Sequence, residues 1–98
     1  MKEYLVEVHG TRTASNTFNI ARGVASILAN CFNRTTFVTD VSNIDFISDE
    51  DRLIALTDGK YRDIFNIQVS SEAPLDDVRR FFASGFQDHK VDVKPFTP

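Results

Sequence analysis

The sequence predicts an α+β fold, an antiparallel sheet of four to five strands with two helices on one face. The expected order is β-α-β-β-β-β-α, with a possible C-terminal edge strand. Three observations lead there. Residues 3–9 are β-branched and aromatic with Tyr4, Val6 and Val8 on one face; residues 17–32 and 75–85 carry apolar side chains at helical spacing; β-branched and aromatic runs broken by turn residues lie between them. A chain of 98 residues holds one hydrophobic core. Residues 1–90 are therefore read as a single domain and 91–98 as a tail or edge strand.

In Glu3-Tyr4-Leu5-Val6-Glu7-Val8-His9, Tyr4, Val6 and Val8 share a face, and that face is expected inward. Gly10-Thr11-Arg12-Thr13 breaks the strand, and Ser15 or Asn16 is the expected helix N-cap. Ile20, Val24, Ile27, Leu28, Cys31 and Phe32 then fall on one helical face. Ala21, Ala25 and Ala29 form a strip beside it that lets a helix lie close on a sheet. Gly23 sits off that face, where it costs about 1 kcal/mol relative to Ala, and Asn33 is the expected stop.

Residues 35–41 predict a strand with Phe37, Thr39 and Val41 inward; Ser42-Asn43 reads as a turn, and Ile44 and Phe46 continue a hairpin. Residues 52–57 read as a strand, with a short helix over 50–57 as the alternative, followed by the hairpin signal Asp58-Gly59. Phe65, Ile67 and Val69 face one way, Asn66 and Gln68 the other. The second helix opens at Pro74 with Asp76 and Asp77 at the positive end of its dipole. Leu75, Val78, Phe81 and Phe82 give its buried face, and Gly85 is the expected C′ residue. Val91-Asp92-Val93-Lys94 repeats a strand pattern before Pro95.

Composition narrows the function classes. Nine Phe with no Trp and two Tyr point to a filled core or a buried interface. Net charge is −3 and the basic residues are dispersed, only Arg79 and Arg80 being adjacent, which disfavours nucleic acid. No apolar run reaches the roughly 20 residues of a membrane span. Met1-Lys2-Glu3-Tyr4 has an early acid and no apolar run, so no signal peptide is expected and the compartment is read as cytoplasmic. By the same reading the sequon Asn33-Arg34-Thr35 goes unused.

The lone Cys31 excludes an internal disulfide and is expected buried on the apolar face of the first helix. His9 is expected as an exposed strand-end residue. The sequence has no Walker loop, Rossmann fingerprint, CxxC or HExxH, so no catalytic residue, cofactor or metal is expected. The acidic stretch Asp45, Asp49, Glu50 and Asp51, with Asp58, lacks the EF-hand pattern and reads as a solvated contact patch.

This element order overlaps that of two small folds, the ferredoxin-like βαββαβ arrangement and the HPr phosphocarriers. The stretch Ala25 to Phe37 resembles the helix-to-second-strand passage of the latter. That resemblance implies a phosphocarrier using His9. The segment His9-Gly10-Thr11-Arg12 holds a His and an Arg but no proline after the Arg, and it precedes the helix by several residues.

The leading expectation is a non-enzymatic protein-binding module, a regulator or inhibitor with a basic protein partner, self-association into a homodimer being left open. Its candidate contacts are Asp45, Asp49, Glu50, Asp51 and Asp58, with Phe86 and Phe96 as apolar anchors. The alternatives are the His9 phosphocarrier and a nucleic-acid binder that gathers Arg12, Arg22, Arg34, Arg79 and Arg80.

Overall fold

A computed structural model describes residues 1–10, 14–32, 35–44 and 63–97. The elements are β1 (Lys2–Gly10), α1 (Ala14–Phe32), β2 (Phe37–Ile44), β3 (Asp63–Ser71), α2 (Leu75–Gly85) and β4 (Lys90–Pro95). The strands form one sheet in the order β2-β3-β1-β4, every neighbouring pair antiparallel. Strands β1 and β2 therefore run parallel with β3 between them, and β3 and β4 run parallel with β1 between them. Each such pair is joined through a helix, which is the split β-α-β of the ferredoxin-like arrangement. The expected α+β sheet with two helices on one face is the fold, and the C-terminal run is an edge strand. The further runs and turn expected over 45–62 lie outside the described residues.

Alternation places the core. Tyr4, Val6 and Val8 of β1, Phe65, Ile67 and Val69 of β3, and Val93 of β4 are all buried. They share one cluster with Ala21, Val24 and Leu28 of α1 and Val78 and Phe82 of α2. Both helices therefore cover the same side of the sheet. Tyr4 keeps its polar end satisfied there by donating a hydrogen bond from its hydroxyl to the Ala73 carbonyl at 2.6 Å.

Helix α1 is seated differently from the expectation. Its buried stripe is Thr17, Ala21, Val24, Ala25 and Leu28, whereas Ile27 is 54% exposed and Cys31 is exposed. The two alanines sit in the centre of the seat, because small side chains let the helix axis approach the sheet; the stripe rotates to put them there. Cys31, expected buried, is carried outward by that rotation. The helix also begins at Ala14, so Ser15 and Asn16 lie in its first turn and not at the cap.

Strand β2 departs in two ways. A bulge between Val38 and Asp40 inserts Thr39, whose hydroxyl donates to the Gln68 carbonyl at 3.0 Å. The extra residue resets the alternation, so Val38 and Val41 turn toward the core and Phe37 is left 45% exposed. Phe37 and Thr39, expected inward, both face solvent. Ser42 and Asn43 pair with Asn66 and Phe65 in the ladder, so the strand runs through them to Ile44 and no turn forms.

Helix α2 follows its pattern. Pro74 is its N-cap, and the Pro74 carbonyl accepts from the backbone N–H groups of Asp77 and Val78, each at 3.1 Å. Gly85 is the last helical residue and not a C′ residue. A β-carbon at Gly85 would collide with the Cγ2 methyl of Val24, so glycine here sets how closely α2 approaches α1.

Candidate functional site

The other side of the sheet carries no helix among the described residues, and its side chains come from the alternate strand positions. Register places them in rows. Phe37 of β2, Ser70 of β3 and Glu3 of β1 form the first row. Phe96 continues it on the far side, its backbone N–H donating to the Glu3 carbonyl at 3.0 Å. Asp40, Gln68, Leu5 and Lys94 form the second row; Ser42, Asn66, Glu7 and Asp92 the third; His9 and Lys90 lie side by side in the fourth.

The two ends of this open face differ in chemistry. The first two rows are apolar in part: Phe37 is 45% exposed, and Leu5 and Phe96 are half-buried. Neighbouring strands lie about 4.8 Å apart, which sets Phe37 and Phe96 roughly 14 Å from one another across the sheet. Beneath them Ser70 is 3% exposed, and its hydroxyl lies 2.8 Å from both oxygens of Glu3. The serine is a donor to the carboxylate and fixes it against the sheet.

The third and fourth rows are rich in acceptors. The Nε2 of His9 lies 2.7 Å from a Glu7 carboxylate oxygen, with the His9 and Glu7 side chains 37% and 31% exposed. Asp92 stands opposite Glu7 on one flank and Asn66 on the other. The Oδ1 of Asn66 is buried without a hydrogen-bond partner among the described residues. Glu3, Glu7, Asp40 and Asp92 face only Lys90 and Lys94 among fully charged groups, so the described open face is acidic.

The sequence-derived candidates distribute as follows. Asp45, Asp49, Glu50, Asp51 and Asp58 lie outside the described residues, as do Arg12 and Arg34. Phe86 is 2% exposed in the core, its ring edge-on to His89 at 5.9 Å, so it presents nothing to a partner. It follows α2 directly, and its backbone N–H caps the helix on the Phe82 carbonyl at 3.1 Å; the reversal of the chain there turns its ring inward. Phe96, by contrast, lies on the open face.

Arg22, Arg79 and Arg80 belong to the helix layer. Arg22 lies over the Phe18 ring at 5.6 Å, Arg79 pairs with Asp76 at 3.4 Å and Arg80 with Asp77 at 3.9 Å. Exposed Cys31 is also on that layer, so the sheet separates it from His9 and the two do not form a dyad. Among the described residues no group of three or more His, Cys, Asp or Glu side chains is placed to hold a metal ion. None of the described helices is long and apolar enough to cross a membrane.

The open-face residues Glu3, Leu5, Glu7, Asn66 and Gln68 are the off-phase positions of their strands, whereas Phe37, expected inward, reaches this face only through the bulge in β2. What joins them into one surface is the strand order. No family model matches the chain, and neither does any curated protein.

Proposed function

We propose that the chain is a non-enzymatic protein-binding module, a small regulator or inhibitor whose open sheet face takes a basic partner protein. The observation that carries this reading is the composition of the uncovered face: an exposed Phe37 with Leu5 and Phe96 beside four carboxylates and two lysines. Apolar side chains on a face of net negative charge are the makings of an anchored and steered contact. A phosphate backbone would meet net repulsion on the same surface. Cys31 as an exposed free thiol fits a reducing, cytoplasmic compartment.

Affinity capture with the immobilised chain tests the assignment to this face. Wild type and the helix-layer variant Ile27→Ser should retain the same stoichiometric protein. Phe37→Ser and Asp92→Lys should each release it, with the fold intact by circular dichroism. Equal capture by wild type and both open-face variants would place binding elsewhere, and capture of no stoichiometric protein would remove the reading.

A further inference from the structure

We propose that the outer face of α1 is where a second copy of this chain docks, Ile27 of each copy seating over Gly23 of the other in an antiparallel, two-fold pair. The inference is independent of the open-face reading, since it concerns the opposite side of the molecule.

Shape, packing and charge converge on this face. Ile27 is 54% exposed, second only to Met1 among the described large apolar side chains. It walls an apolar groove of about 300 Å³ between the two helices, lined also by Val24, Phe81 and Gly85. One turn earlier, Gly23 lies inside the helix and on its exposed side. Glycine weakens a helix interior relative to alanine. At Gly85 the close approach of Val24 requires it, but at Gly23 a β-carbon would meet no described atom within 4 Å. The helix therefore gives up stability at Gly23 for a bare patch of backbone that serves no described contact of its own chain.

Charge is missing from the same surface. The 19 residues of α1 include a single charged side chain, Arg22, which lies over the Phe18 ring. Asn19, Ser26, Asn30 and Cys31, exposed around Gly23 and Ile27, are uncharged. Arg80, on the α2 side of the groove, is balanced by Asp77 at 3.9 Å. In a chain of which 26% is charged, an exposed face depleted of charge has the composition of an interface centre.

Charge and shape together select the occupant. The chain carries −3 and its described open sheet face is acidic, so two copies repel one another there, whereas they meet along α1 without repulsion. Gly23 and Ile27 stand one turn apart, about 6 Å along the helix axis. A two-fold axis crossing the helix between them lays α1 antiparallel on its copy and brings each Ile27 onto the other's Gly23. The hollow and the knob on one helix are the knob and the hollow that its copy needs, as an isologous contact requires.

Sedimentation equilibrium on the whole chain tests this, under reducing conditions that keep Cys31 from cross-linking copies. Concentrations run from about 2 to 500 µM, a span that brackets a weak dimer. Wild type should pass from monomer to dimer within it, and Ile27→Asp should stay monomeric throughout. Gly23→Gln should weaken the dimer by about ten-fold or more, the mark of a central contact. Thermal unfolding at the lowest concentration, where wild type is monomeric, separates assembly from folding. There Gly23→Gln should melt about 4–8 °C higher, because a helix former replaces glycine. One substitution thus strengthens the fold and breaks the pair, a combination that a glycine needed only for folding would not give. A wild type that stays monomeric to the top of the range, an assembly larger than a dimer, or a dimer that survives either substitution overturns the proposal. So does a Gly23→Gln monomer that melts below wild type.

Discussion

The two sides of this sheet are made by the same strands and behave as different materials. On the helix side, Tyr4, Val6 and Val8 of β1 lie opposite Val69, Ile67 and Phe65 of β3, all 3% exposed or less. One residue along the chain, Glu3, Leu5 and Glu7 lie opposite Ser70, Gln68 and Asn66 on the uncovered side. The first set is apolar and enclosed, so a change there removes contacts from every direction. The second is polar, partly wet and joined by side-chain hydrogen bonds such as Ser70 to Glu3. On the proposed reading, stability and recognition are separated by a single step in the alternation. Substitutions at adjacent positions should have unlike consequences.

The largest effect is expected on the enclosed side. Phe82 of α2 is fully buried in the core cluster that α1 and the sheet share, and Phe82→Ala should destabilise by about 3–5 kcal/mol through lost burial and the cavity left behind. Chemical denaturation measures this directly. Gly85→Val ranks next, because the new side chain meets Val24 at the helix crossing. Forcing α2 away from α1 should cost about 1–3 kcal/mol, read as a lower melting temperature, and Val24→Ala in the same chain should restore part of it.

Tyr4→Phe comes third and sharpens the contrast through pH. Losing the hydroxyl's bond to the Ala73 carbonyl should cost about 1 kcal/mol at pH 7. Burial raises the Tyr4 phenol above its ordinary value of 10.0. The folded state therefore holds the proton to higher pH than the unfolded chain does. The corresponding stability is fully present below pH 10 and is lost as pH rises from there through the folded-state value. Wild type should lose stability more steeply than Tyr4→Phe in denaturation series taken above pH 10.

The smallest effect on stability belongs to the open face. Glu7→Gln keeps the shape of a half-exposed side chain and should change stability by less than about 0.5 kcal/mol.

Clean alternation and clean helical spacing were legible in the sequence, which is why β1, β3 and α2 fall where their patterns place them. The exceptions have local physical causes. In β2 a bulge at Thr39 breaks the period on which the inward assignment of Phe37 depends. In α1 size mattered more than hydrophobicity, so alanines face the sheet while Ile27 and Cys31 do not. Phe86 joins the core only because the chain reverses after α2, which no periodicity encodes.

The candidate surface was less legible. Ser70 and Glu3 are 67 residues apart and meet only once the strand order is fixed. Phe96, expected as an apolar anchor, gains its place on the open side only by pairing alongside Glu3.

The division between the two sides is tested most directly by measuring Phe82→Ala and Phe37→Ser side by side for chemical stability and for partner capture. Phe37→Ser should cost about 1 kcal/mol, in keeping with a ring only partly covered, and should abolish capture by the folded protein. Phe82→Ala should cost several times more and still capture partner under conditions where it remains folded. Equal destabilisation by the two substitutions, or undiminished capture by Phe37→Ser, would contradict the account.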